Sequence, residues 1–286
     1  MDQPDTGAAQ QSIESPLREK SVPTLELAYT NACSLANKMD ELENLATSVD
    51  ILAVTETWLT TMHSDAILPK GFTVYRCDKP SAHGGGSLLL VREHLKHRPI
   101  SGLPCNPFIQ ATGCILEGAH DTLLICVYRC PSTPASYSAD LLVALKAVAR
   151  TVDHCMILGD FNAPGIDWAN EVTNCSGGFE EDLLDSLHEL ALHQIVSVPT
   201  RFREGQNPSL LDLVLCRYVN DSCELRSYPP LGKSDHVVLK LRVIQQISRP
   251  TPTTRRSYSR MDPVAVLHQA ASMVWESDPD SSVQAK

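Results

Sequence analysis

The sequence has 286 residues, 43% of them hydrophobic and 20% charged, with 14 glycines and 19 prolines; this excludes collagen-like and wholly disordered chains and fits one large domain or two small ones. Apolar runs such as residues 87–91 fall far short of the about 20 needed to cross a bilayer, and the first twenty residues carry Asp2, Asp5, Glu14, Arg18 and Lys20 with no apolar stretch. Neither a membrane span nor a secretory signal is predicted, and synthesis in the cytoplasm is expected. The net charge of -10, from 24 Lys and Arg against 34 Asp and Glu, excludes a surface that grips nucleic acid by charge alone, so any polyanion site must be local.

Residues 1–22 are polar and aperiodic and read as a disordered lead to a domain over 23–245. A half-buried strand over 25–29 runs out at Asn31. Ser34 then reads as the N-cap of a helix in which Leu35, Met39, Leu42, Leu45 and Ala46 share a face. A strand over 51–54 delivers Glu56, and a parallel return of this βαβ-like unit puts Asn31 and Glu56 at the same sheet edge. Strands follow over 72–76, 86–92, 110–117 and 123–128, spaced closely enough to pair antiparallel. A helix over 139–152 leads to a strand over 155–158 that Gly159 breaks, releasing Asp160, Phe161 and Asn162 into a loop. A second amphipathic helix covers 179–192. Late strands at 211–216 and 237–243 are separated by a polar loop. Beyond them, 246–286 reads as a linker-like tail with one short helix over 264–275. Ten cysteines in so long a chain, with no C-x-x-C, read as reduced thiols, without a disulfide framework or a zinc site.

Several strand ends carry a carboxylate or carboxamide in apolar surroundings: Asn31, Glu56, Asp160 with Asn162, and Asp235 in Ser234-Asp235-His236. Asp212 sits among Leu210, Leu211, Leu213 and Val214. A buried acid needs a partner, because an unpaired carboxylate in apolar surroundings is costly. Oxygen ligands such as Glu56, Asn31 and Asp235 suit a hard divalent cation, and the set reads as metal-assisted phosphate chemistry.

In this order, Asn31 after the first strand, Glu56-Thr-Trp-Leu59, Tyr128-Arg129, Gly159-Asp160-Phe161-Asn162, Leu211-Asp212-Leu213 and Ser234-Asp235-His236 resemble the endonuclease/exonuclease/phosphatase superfamily. More narrowly, Asn31 to Lys38, Gly84 to Gly86, Pro199-Thr-Arg201 and Ser209 to Leu215 resemble the apurinic/apyrimidinic-type endonuclease domain of non-LTR retrotransposons. The resemblance implies an α/β fold, a four-layer sandwich of two mixed β-sheets flanked by helices. It implies a Mg2+-dependent DNA endonuclease, with Mn2+ as a substitute, that nicks target DNA to leave a 3'-hydroxyl. Glu56 would be the principal metal ligand, with Asn31 and Asp235 near the metal and Asp235 close enough to Glu56 to share it. Asp160 would deprotonate the attacking water, Asn162 would bond the phosphoryl oxygen, His236 oriented by Asp212 would bind the scissile phosphate, and Tyr128 would touch the phosphate or leaving oxygen. Arg129, Arg201, Arg203, Lys233 and Ser234 are the expected substrate contacts, with the stretch 249–260 as a further basic region. Cys33 departs from the Arg common in such domains. The glycines at 84–86, with His83, read as a flexible loop. The implied partners are DNA and a reverse transcriptase domain missing from this chain, with action on chromosomal DNA placing the protein in the nucleus. The alternatives are a phosphatase or phosphodiesterase of the same superfamily, or a catalytically silent domesticated copy that only binds.

Overall fold

Burial on both faces explains why most strands read as continuous apolar runs. The computed structural model describes residues 24–80, 84–174, 176–217 and 223–244; the lead over 1–22, His83, the basic stretch 249–260 and the helix read over 264–275 lie outside them. In chain order the elements are β1 (Thr24–Asn31), α1 (Met39–Ala46), β2 (Ile51–Thr55), a 3-10 turn (Asp65–Ile67), β3 (Phe72–Cys77), β4 (Ser87–Arg92), β5 (His97–Pro99), β6 (Ile109–Leu116), β7 (Thr122–Arg129), α2 (Ala135–Ala149), β8 (His154–Asp160), β9 (Ile166–Asp167), β10 (Val172–Thr173), α3 (Phe179–Leu190), β11 (His193–Gln194), β12 (Asp212–Arg217), β13 (Glu224–Tyr228) and β14 (Val238–Ile244).

Two six-stranded sheets result, ordered β13-β14-β1-β2-β4-β3 and β11-β12-β8-β7-β6-β5. Each is mixed: β1 and β2 run parallel in the first, β7 and β8 in the second, and the other pairs are antiparallel. Alternation along the strands assigns residues to layers. Leu27, Tyr29, Ala53 and Leu89 pack between the sheets against Leu124, Met156, Leu158 and Val214. Their neighbours Ala28, Leu52, Val54 and Leu90 face outward, onto Leu35, Leu42 and Ala46. On the other outer face, Ile125, Val127, Ile157 and Leu213 meet Leu141, Leu145, Leu183 and Leu187 of α2 and α3. The expected four-layer α/β sandwich is present.

Several local readings change. Ser34 is no N-cap: it has φ 83° and accepts a bond from the Ala36 amide, and α1 begins only at Met39. The cause is that the chain beyond β1 stays pinned to the chain beyond β2, with the amides of Ala32, Ser34 and Leu35 donating to the carbonyls of Thr55, Glu56 and Thr57. Gly159 does not break its strand. It pairs with Leu213 inside β8, and a Cβ there would meet the Val127 carbonyl oxygen at 2.0 Å, so close backbone approach is what requires glycine. The polar loop before the last strand contains β13, hidden because its residues are mostly exposed at a sheet edge. The thiols are not all reduced: Cys77 at the end of β3 and Cys105 lie with Cα atoms 6.2 Å apart and form a disulfide across 28 residues of sequence. Among the described residues, no helix is long and apolar enough to cross a membrane.

Candidate active site

The parallel pairing of β1 with β2 sets Asn31 beside Thr55, so Asn31 and Glu56 emerge at one edge, as expected. In the second sheet Tyr128 is in register with Asp160, and Asp160 with Asp212. Thus β7, β8 and β12 bring three polar side chains abreast, and Asp160 is still inside its strand, not in a loop. The segment before β14 is held by an isolated bridge between Arg201 and His236, which carries Asp235 and His236 to the same edge.

Asp212, fully buried, has all the partners its position demands. The Tyr29 hydroxyl donates to Oδ1 at 2.6 Å, His236 Nδ1 contacts Oδ2 at 2.6 Å, and the Thr200 hydroxyl oxygen accepts from the Asp212 amide. Tyr29 reaches across from the opposite sheet and also meets the Thr55 hydroxyl at 2.8 Å. Asp160 Oδ2 accepts from Asn31 Nδ2 at 2.9 Å, and Oδ1 accepts from the Asn162 amide at 3.1 Å. Burial, with Asp212 as a like charge nearby, pushes the Asp160 carboxyl up to about 8. Burial works against charge on His236, but Asp212 outweighs it and pushes the imidazole up to about 9, so it is protonated at neutral pH. Burial, followed by the charge of Glu56, drives the Tyr128 phenol far above its ordinary value and keeps it a hydrogen-bond donor.

Glu56 stands at φ 53°, a left-handed conformation uncommon for this residue. Its Oε2 accepts from the Gly85 amide at 2.9 Å and from the Trp58 indole. The glycines therefore do not form a slack loop. Gly85 at φ 71° would bring a Cβ within 2.3 Å of Gln110 Oε1, while that same oxygen accepts from the Gly86 amide. Asn162, also left-handed at φ 47°, donates through Nδ2 to the Arg129 carbonyl.

The expected substrate contacts divide. Arg129 is 6% exposed; its guanidinium donates to Ser138 Oγ and to the carbonyls of Phe161 and Asn162, and it lies over the Phe179 ring. It shapes the Asn162 loop instead of facing outward. Ser234 is likewise buried, donating to the Asn31 carbonyl and accepting from the His236 amide. Arg201 and Arg203 both donate through Nε to Asp235 Oδ2, at 3.0 and 2.9 Å, and Lys233 is exposed. Asp235 is partly buried, which opposes its charge, but the Cys33 thiol, His236 and the two arginines hold its carboxyl below the usual range.

Among the described residues, two groups of three offer donor atoms all within 4.8 Å of one another: Asp160, Asp212 and His236, and Cys33, Asp235 and His236. Asp235 clusters with His236 and Cys33, while Glu56 is in neither group. Tyr29, Thr55, Thr200 and Gln110 escaped the sequence reading. Tyr29 alone left a signal, as a polar tip on the inward face of a strand bound for the core. Beside Asn162 a cleft of about 510 Å3 is lined by Arg129, Phe179, Glu180, Arg201 and Leu211.

Solved structures share the fold: the endonuclease domain of TRAS1, a telomere-specific non-LTR retrotransposon (20% identity, 78% of this chain and 100% of that one, TM-score 0.60), an apurinic/apyrimidinic endonuclease from Leishmania major (13%, 78% and 88%, 0.60), and a 3'-5' exonuclease from Neisseria meningitidis (18%, 77% and 100%, 0.58). No curated protein is significantly similar in sequence. The family described as endonuclease-reverse transcriptase matches residues 122–240, which span Tyr128, Asp160, Asn162, Asp212, Asp235 and His236. The chain therefore shares the fold of these nucleases, and its second half resembles the endonuclease-reverse transcriptase family.

Proposed function

We propose that residues 23–245 form a divalent-metal-dependent DNA endonuclease of the retrotransposon type, which nicks one strand and leaves a 3'-hydroxyl. The observation that carries this reading is the buried trio of Asp160, Asp212 and His236, three ionisable groups concentrated at strand ends where folding alone does not call for them. The retrotransposon domain among the structural neighbours supports the narrower assignment.

The donor set fits a hard cation. Glu56, Asn31 Oδ1 and the aspartates offer oxygens, and Mg2+ needs only one or two carboxylates, completed by waters and phosphate oxygens. Glu56 and Asn31 would hold it, with Asp235 near it; Mn2+ would serve in its place. When bound, the ion supplies Lewis-acid stabilisation of charge on the phosphate and leaving oxygen. The chain does the rest. Asp160, with a carboxyl near neutrality, takes the proton of the attacking water at Oδ1 or Oδ2. His236, held by Asp212 through Nδ1, presents protonated Nε2 to a non-bridging phosphate oxygen, and the Asn162 carboxamide bonds another as charge builds. The Tyr128 phenol donates toward the phosphate. The cleft beside Asn162 would receive the nucleotide adjoining the scissile bond, with Arg201 and exposed Arg203 and Lys233 forming the basic rim. DNA is the partner in this reading, a reverse transcriptase domain would use the 3'-hydroxyl as primer, and chromosomal targets would place the enzyme in the nucleus.

Supercoiled plasmid incubated with the chain and Mg2+ should convert to nicked circles, and EDTA should abolish this. Release of inorganic phosphate from a 3'-phosphorylated end, with the plasmid left intact, would favour the superfamily's phosphatases instead; binding without either reaction would leave a silent copy.

A further inference from the structure

Cys33 has no place in the phosphate chemistry, yet its thiol is aimed at the centre of the site. Its Sγ lies 3.2 Å from Asp235 Oδ1 and 3.5 Å from Asn31 Oδ1, and His236 Nε2 lies 3.8 Å from the same Asp235 oxygen. A tetrahedral Zn2+, at about 2.3 Å from sulfur and about 2.1 Å from nitrogen or oxygen, sets its ligands roughly 3.4 to 3.6 Å apart. We propose that Cys33, Asp235 and His236 form a second metal site that takes a thiophilic divalent cation such as Zn2+ and blocks the phosphate site when filled.

Three observations argue for it. The two separations to Asp235 Oδ1, 3.2 and 3.8 Å, match within a few tenths of an ångström, and all three donor atoms lie within 4.8 Å of one another. His236 is pre-oriented: Asp212 at 2.6 Å fixes Nδ1 and turns Nε2 toward Asp235, the carboxylate-histidine arrangement that commonly backs a metal-bound imidazole. Asp235 keeps Oδ1 on the Cys33 side because Arg201 and Arg203 both occupy Oδ2. Those two guanidiniums already balance the carboxylate, so a cation must draw its affinity from the sulfur and imidazole. That selects Zn2+, Cd2+ or Co2+ and rejects Mg2+. On binding, the thiol proton and the Nε2 proton leave to solvent as the sulfur and nitrogen bonds to the metal form.

The metal then sits on the imidazole nitrogen that was to hold the scissile phosphate. This inhibitory consequence rests on the endonuclease reading, whereas the site itself does not. The test uses the full chain without DNA. Cd2+ titration should give a thiolate-to-metal charge-transfer band that saturates at one ion per chain. That band should be missing from Cys33→Ser and from Cys33→Ala, each checked for a native circular dichroism spectrum. His236→Ala should keep the band with at least about tenfold weaker affinity, the scale of loss when a metal site is perturbed. In the plasmid assay, Zn2+ added over saturating Mg2+ should stop nicking by the parent and leave Cys33→Ser at least about tenfold less sensitive. A missing band in the parent, or one unchanged in both Cys33 variants, overturns the site. A normal band in a chain that never nicks DNA overturns the endonuclease reading alone.

Discussion

Tyr29→Phe removes one oxygen atom and with it a bond that ties the two sheets together at the site, along with the contact to the Thr55 hydroxyl in its own sheet. The ring is fully buried and stays so in phenylalanine, leaving packing unchanged. What disappears is a 2.6 Å donation to the carboxylate of Asp212, which is itself 0% exposed and has no water to turn to. A hydrogen bond to a charged group contributes about 1.5 to 3 kcal/mol, and the stranded carboxylate oxygen places the loss in that range. In a domain of this size the melting temperature should fall by about 3 to 12 °C. Unfolding in urea at neutral pH, in EDTA, measures it. A double-mutant cycle sharpens the test: in an Asp212→Asn background the same change should cost only about 0.5 to 1.5 kcal/mol, because the bond is then neutral. A Tyr29→Phe loss below about 0.5 kcal/mol, or an equal loss in both backgrounds, would refute the claim that this bond to a charge holds Asp212.

Asp160→Asn and His236→Ala should each lower nicking by roughly a hundredfold or more, through lost general-base and transition-state contributions, while a native unfolding transition is retained. Stability without metal should fall with rising pH: Asp160 titrates at about 8 folded against 3.8 unfolded, so its contribution is lost across that window. His236 contributes fully below 6.5 and loses it as pH rises through about 9. Asp160→Asn should flatten the fall between pH 4 and 8, and an unchanged profile would place the titration elsewhere. Arg203, 54% exposed, should make one phosphate contact, so Arg203→Ala should reduce the log-log salt slope of DNA binding by about 0.9. Gly159→Ala should destabilise the domain by about 1 to 3 kcal/mol or prevent folding, since the added Cβ meets the Val127 backbone; a wild-type melting temperature would contradict that fit.

What the sequence disclosed was whatever repeats or punctuates. The longer strands of both sheets are legible, but not the short edge strands β5 and β11, because runs such as Leu88 to Val91 and Leu123 to Val127 are buried on both faces, and the chemistry is legible because polar residues stand where those runs stop. Element ends were less so. The start of α1 depends on backbone bonds from Ala32, Ser34 and Leu35 to a strand about twenty residues later, and no local preference of Ser34 could reveal them. The exposed edge strand β13 carries no apolar alternation to read. The Cys77–Cys105 bridge depends on where two distant chain segments meet, and spacing does not encode this.

The charged residues show the same limit most sharply, because proximity in sequence to a catalytic motif says nothing about which way a long side chain turns. Arg129 follows Tyr128 and precedes the loop it supports, and so it looked like a phosphate contact. Yet this buried guanidinium turns Nε and Nη1 to a hydroxyl and two carbonyls of its own protein. Burial lowers its affinity for the proton, a cost accepted only where the group fixes something, and here it fixes the backbone of Phe161 and Asn162. Arg203, two residues beyond an equally placed Arg201, stays on the rim with half its surface in water. The local basic surface that an acidic chain needs for DNA is therefore smaller than the count of nearby arginines implied. It is confined to Arg201, Arg203 and Lys233 among the described candidates, and the first two share it with Asp235. Cleavage by such a site would depend on a cation more heavily than on the rim, since the rim's own charge is already half balanced.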